Sequence, residues 1–162
     1  MWKQIILLTG IACVSGCASM SPMENKKSLL EYTYDYQVPN KSKLEIWKGA
    51  RDYIAQAFVS GKSVVQSEDS DDGTIYGNGI ATWDLVTNQC LTAYQLRFAA
   101  KDGKARLQLE IERGVPAGSQ CVGWPLPSRS GHAEIVRQFS IISRGLGDAL
   151  NGKGGDASLK DF

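Results

Sequence analysis

One histidine, His132, and a few carboxylates are the residues of this 162-residue chain best suited to proton transfer. A single imidazole excludes any mechanism that needs two. His132 lies at the start of a segment with a helical apolar stripe, and no Gly-x-Ser-x-Gly elbow offers it a serine nucleophile. It reads as a capping or surface histidine. Glu110 and Glu112 share one face of an alternating segment near Arg106 and Arg97, the pattern of a cross-strand ion network. Paired glycosidase carboxylates would instead need a deep cleft. In the acidic run from Ser67 to Gly73, glycine is sixth counting from Glu68, but the twelfth position is Gly79 and not the glutamate of a calcium loop. That run reads as a solvated turn ending in Asp72-Gly73. Gly77-Asn78-Gly79 lies inside a strand-like stretch, away from any strand-to-helix turn that could cradle phosphate. No catalytic set, metal site or cofactor site is assembled, and the expectation is a protein that is not an enzyme and carries no cofactor.

The remaining reactive residues are four cysteines. Met1-Trp2-Lys3 is a short cationic start, and the mostly apolar run from Ile5 to Val14 is too short for a bilayer core, which takes about 20 residues. Its length suits the apolar region of an export signal. The following Val14-Ser15-Gly16-Cys17 resembles the lipobox of bacterial lipoproteins, which implies cleavage before Cys17 and lipid attachment to it. An ordinary secretory signal with an incidental cysteine is the plainer alternative. Two or three acyl chains would hold the protein at the membrane essentially permanently. Ala18, which is not aspartate, implies sorting to the outer membrane, facing the periplasm. Cys13 leaves with the signal, so Cys90 and Cys121 remain. In an oxidising compartment they are expected to form a disulfide, with two free thiols as the alternative.

Composition narrows the partner. The chain has 18 Lys+Arg against 17 Asp+Glu, a formal charge of +1, and 43% apolar residues. Such a balance gives little steering toward nucleic acid or a membrane surface, and the apolar content is that of one globular domain.

The elements that must position these residues can be read from pattern. Residues 17–28 are expected to be a flexible tether. Leu30 to Val38 alternates strictly, with Tyr32, Tyr34, Tyr36 and Val38 on one face, and Pro39-Asn40 ends the strand. Ser42-Lys43-Leu44-Glu45 is a capping box, followed by Trp47, Ala50, Ile54, Ala57 and Phe58 at helical spacing, with Gly61 to close the end. Lys62 to Gln66 forms a short strand. Thr74 to Val86 is the next, with Ile75, Gly77, Gly79, Ala81, Trp83 and Leu85 on one face. Its small central residues predict a closely crossing helix.

Leu91 to Ala100 and Lys104 to Arg113 flank Asp102-Gly103, the signal of a two-residue hairpin turn. That turn pairs Phe98 with Leu107, Leu96 with Leu109 and Tyr94 with Ile111 on one side. Arg97 then faces Gln108, Gln95 faces Glu110 and Ala99 faces Arg106 on the other. The same register puts Cys90 opposite Val115, and a short loop could return Cys121 to it. Within the loop Gly114 to Arg129, Gly123-Trp124-Pro125-Leu126-Pro127 favours an extended path that presents Trp124 and Leu126, either to a partner or back to the domain's own core. A second helix begins near Ser130 or Gly131 and carries Ile135, Phe139, Ile142, Leu146 and Leu150. Residues 151–162 read as a disordered Gly-rich tail.

The helix from Leu44-Glu45-Ile46-Trp47 to Phe58, the strand entry Asp72-Gly73-Thr74-Ile75-Tyr76-Gly77-Asn78-Gly79 and the strand Arg106 to Arg113 together resemble an envelope-protein family described as a domain of unknown function with a TATA-binding-protein-like (TBP-like) fold. The resemblance covers about residues 30–113. It implies an α+β fold in the order β-α-β-β-β-β-α, with a curved antiparallel sheet of about five strands and both helices on its convex side. The domain would span residues 29–150, after a signal peptide at 1–16. The family carries no assigned activity, and the DNA binding of another branch of the fold would be misplaced outside the cytoplasm.

These readings converge on a non-enzymatic lipoprotein of the bacterial envelope. Its partners would be the membrane, through the lipid on Cys17, and an envelope protein or cell-wall component. Candidate binding surfaces are the polar sheet face, with Gln95, Arg97, Arg106, Gln108 and Glu110, and the loop with Trp124 and Leu126. Two other classes fit the same residues: an inhibitor of a foreign hydrolase, and an envelope enzyme with an unrecognised carboxylate site.

Overall fold

The tyrosine alternation of the first strand and the oily stripes of two helices meet in one core. The computed structural model describes residues 21–57 and 63–153; the lipobox, Phe58, Gly61, Lys62 and residues 154–162 lie outside them. A helical turn, α1 (Lys27–Leu30), leads into β1 (Glu31–Gln37). Then follow α2 (Lys43–Ala57), β2 (Ser63–Asp69), β3 (Thr74–Leu85), β4 (Asn88–Lys101), β5 (Lys104–Ile111) and α3 (Arg129–Leu150). The strands form one antiparallel sheet in the order β1-β5-β4-β3-β2. Both long helices pack on one face of it, which gives the expected α+β architecture of two layers.

Local chemistry explains the best-defined pieces. At the start of α2 the Ser42 amide donates to Glu45 Oε2 at 2.8 Å and the Glu45 amide to Ser42 Oγ at 3.4 Å, the reciprocal capping box. The β4–β5 register is the one set by a two-residue turn, with Phe98 opposite Leu107 and Arg97 opposite Gln108. Gly103 takes the positive φ of 74° that the turn needs. The helix-facing side of the sheet supplies Ile75, Trp83, Phe98, Leu107 and Leu109, which meet Ile46, Ile135, Phe139 and Leu146 from the helices.

Five expectations are revised. β2 runs on through Glu68 and Asp69, so only residues 70–73 form the turn. Glu68 is held by the Arg51 guanidinium of α2 at 2.9 Å, and Asp69 Oδ1 accepts from the amides of Asp71 and Asp72. A bulge between Val65 and Ser67 lets the longer strand keep its pairing. β3 and β4 join in a tight hairpin, with Leu85 opposite Asn88, so β4 starts three residues earlier than its pattern suggested. The helix α3 starts at Arg129, because Ser128 Oγ accepts from the Gly131 amide at 3.0 Å and caps it. The expected tether is ordered from Ser21: its carbonyl accepts from the Arg129 amide at 2.9 Å, Pro22 bridges to Ser128, and the Met23 amide donates to the Pro127 carbonyl at 2.9 Å. Met23 is 6% exposed, so burial of its side chain holds that segment down. At the other end, residues 151–153 continue the helix cap through backbone bonds to Gly147, Asp148 and Ala149.

Candidate functional site

The face of the sheet turned away from the helices is uncovered among the described residues. Alternation assigns it Glu31, Thr33, Asp35 and Gln37 from β1, and Lys104, Arg106, Gln108 and Glu110 from β5. β4 adds Gln95, Arg97, Ala99 and Lys101, and β3 adds Thr74, Tyr76 and Asn78. Five candidate residues, Gln95, Arg97, Arg106, Gln108 and Glu110, are therefore brought together. All but Arg106 line a depression of about 490 Å³ together with Glu31, Thr33, Gln66, Tyr76 and Asn78. A second one, of about 380 Å³, continues past Arg97 to Asp35, Lys101, Lys104 and Arg106.

Charge is graded along this face. At one end Glu31 stands directly opposite Glu110 in the ladder, with Glu112 beyond them; at the other Lys101 stands opposite Lys104. Like charges directly opposite one another destabilise a sheet. Between the two ends the arginines are engaged. Arg106 forms a forked pair with Asp35, at 2.6 Å and 3.0 Å, and that hydrogen bond holds the exposed Asp35 carboxyl below the ordinary carboxylate range. The Arg97 guanidinium lies over the Tyr76 ring at 5.4 Å. Gln95 Nε2 donates to Glu112 Oε1 at 2.9 Å. The expected network joining Glu110 and Glu112 to Arg97 and Arg106 is thus not the one formed, because each arginine finds a nearer partner on a neighbouring strand. Tyr76, Asp35 and Glu31 also belong to this surface and were not among the binding residues expected from the sequence. The same alternation that placed Gln95 and Arg97 carried their signal.

The other candidates lie elsewhere. Trp124 and Leu126 are half-buried against the core, away from the open face. Trp124 meets Trp83 edge to face at a centroid distance of 6.1 Å. Pro127 is fully buried beside them. The cause is covalent: the Cys90–Cys121 disulfide pins the start of this loop next to Trp83, the ladder partner of Cys90. Of its two readings, docking on the domain's own core is the one observed. His132 is neither a cap nor a free surface group. Its Nε2 is 2.6 Å from Tyr32 Oη and 2.9 Å from the Leu29 carbonyl, which ties α3 to β1. No group of three or more His, Cys, Asp or Glu among the described residues is arranged so that it could hold a metal ion.

Solved structures share this architecture. A TBP-like protein from Parabacteroides distasonis ATCC 8503 superposes with a TM-score of 0.58 at 15% identity, over 81% of this chain and 97% of its own. A DUF4468 family protein from Bacteroides ovatus ATCC 8483 does so with 0.55 at 16%, over 84% and 91%. No curated protein matches the chain. Residues 32–111, from the second residue of β1 to the end of β5, match the family model of DUF4468, the domain of unknown function with TBP-like fold. α2, β2 to β5 and all of β1 but Glu31 fall inside that match, and the chain therefore carries a DUF4468 domain with a TBP-like fold.

Proposed function

We propose that the chain is a lipid-anchored binding module of the bacterial cell envelope, acylated at Cys17 and held at the outer membrane. It engages an envelope protein or cell-wall component through the open sheet face and works without catalysis. The observation that carries this reading is the uncovered polar face itself. Two opposed like-charge pairs of opposite sign, Glu31 with Glu110 and Lys101 with Lys104, line two adjoining depressions that share Arg97 and Gln108. Lys27 already pairs with Glu31 at 3.5 Å, whereas Glu110 and the two lysines would gain from a partner's counter-charges.

The test is photocrosslinking in cells from the positions of Gln95 and Gln108, with exposed Arg137 on α3 as the control. Adducts from the sheet positions that disappear in an Arg97→Ala/Arg106→Ala variant support the reading. Adducts equally strong from position 137, a Cys17 without acyl chains, or turnover by the purified protein that Glu110→Gln abolishes would each overturn it.

A further inference from the structure

Resting on the lipid attachment just proposed, we infer that the end of the molecule formed by the β3–β4 hairpin tip and the disulfide loop lies against the bilayer, with Val86 and Val122 in contact with lipid. The anchor has a short reach. Ser21 is fixed to the domain by its bond to Arg129, and Met23 by its bond to Pro127. Only four residue steps separate Ser21 from Cys17. An extended chain spans at most about 3.6 Å per residue, so this part of the domain stands within roughly 14 Å of the acylated sulfur.

What stands there follows from contacts already described. Ser21 to Met23 lie along residues 127–129, and the first turn of α3 that follows is packed so tightly on Trp83 that the indole occupies the space a side chain at Gly131 would need. Trp83 faces Cys90 in the ladder, Cys90 is bonded to Cys121, and Val122 follows directly. The Gln89 amide donates to Gln120 Oε1 at 3.1 Å and the Gln120 amide to the Gln89 carbonyl at 3.3 Å, which lays the hairpin arm beside the loop. Anchor, loop and hairpin tip therefore share one end.

Exposure marks the same end. Val122 is 80% exposed and Val86 76%, and among the described residues no other large apolar side chain exceeds the 45% of Leu44. A single exposed valine needs no explanation. Here the two most exposed ones project from the end that the anchor holds at a bilayer, where apolar side chains enter the interfacial region. Val86 also has φ of 59°, a backbone conformation that β-branched residues fit poorly. The β4–β5 turn lies about 40 Å away along β4, at the end facing from the membrane.

The experiment places p-benzoylphenylalanine at position 86, 122 or 102 of the full-length protein in its membrane and reads intact mass after illumination. Phospholipid adducts at 86 and 122 with none at 102 are expected. In the unsubstituted protein on vesicles, amide exchange over residues 84–89 and 118–124 should slow relative to an unanchored Cys17→Ser protein, with residues 101–104 unchanged. The mass of the same samples reports the acyl chains on Cys17. If the chains are missing, the anchored reading itself falls. If they are present, the membrane-facing end alone is overturned by any of three results: no lipid adduct at 86 and 122, equal adducts at 102, or protein adducts at 86 and 122.

Discussion

Gly131 and Val86 show opposite ways in which one residue departs from what its element prefers. A methyl at Gly131 would collide with the Trp83 ring, and that ring cannot swing away freely because its Nε1 donates to Thr92 Oγ1 at 2.9 Å in the buried core. Gly131→Ala should therefore cost about 1–3 kcal/mol, the usual range for overpacking. Urea unfolding checks it through a lowered midpoint at unchanged slope; an unmoved midpoint would show that the indole gives way. At Val86 the sign reverses. A left-handed backbone conformation disfavours a β-branched side chain, and asparagine adopts it readily, so Val86→Asn should raise stability by about 1 kcal/mol. The same unfolding measurement decides it. Neither residue was legible in the sequence as special, because a glycine inside a helix and a valine between strands take their meaning from distant packing. Gln95, Arg97, Arg106, Gln108 and Glu110 were legible as one face, since alternation and a two-residue turn are local. Trp124 was not: prolines stiffen its loop without saying which way the indole points.

Elements defined by short-range chemistry were the readable ones. The capping box of α2 and the turn at Asp102-Gly103 each lie within four residues, and both are formed. The Val86-Thr87 hairpin carried no Asn-Gly or Asp-Gly mark and so was missed. The ordering of Ser21 to Met23 was missed for another reason, since it depends on a segment more than a hundred residues away. The disulfide loop combines both kinds of signal. Two cysteines and a compartment suggested it, and the structure makes it the brace between β4 and the Trp124 loop. Closing a loop of sequence separation 31 should contribute roughly 3–4 kcal/mol by chain entropy. A Cys90→Ala/Cys121→Ala variant is expected to lose about that much in denaturant unfolding, and proteases should cleave first between residues 114 and 127. Loss spread evenly over the chain would argue that the bridge does not brace this loop.

At the scale of the whole molecule, the helical layer is fastened to itself and to the sheet by tyrosine hydroxyls. Tyr36 from β1 donates to the Ser143 carbonyl of α3 at 3.1 Å, with Ser143 Oγ at 2.9 Å, and Tyr53 from α2 donates to the Ile142 carbonyl at 3.1 Å. Burial pushes both phenols up to about 12, against an ordinary value of 10. The native state thus holds these protons where the unfolded chain releases them, so stability falls as pH rises between 10 and about 12. Below pH 10 both states keep the protons, and the contribution is fully present. The urea midpoint of the domain should accordingly stay level from neutral pH to near 10 and then drop steeply. Tyr36→Phe should soften the drop, because one of the two most strongly shifted protons is no longer at stake. A midpoint that holds level to pH 12 would mean that these hydroxyls titrate as freely in the native state as in the unfolded one, and that α3 is held by its other contacts, His132 with Tyr32 among them.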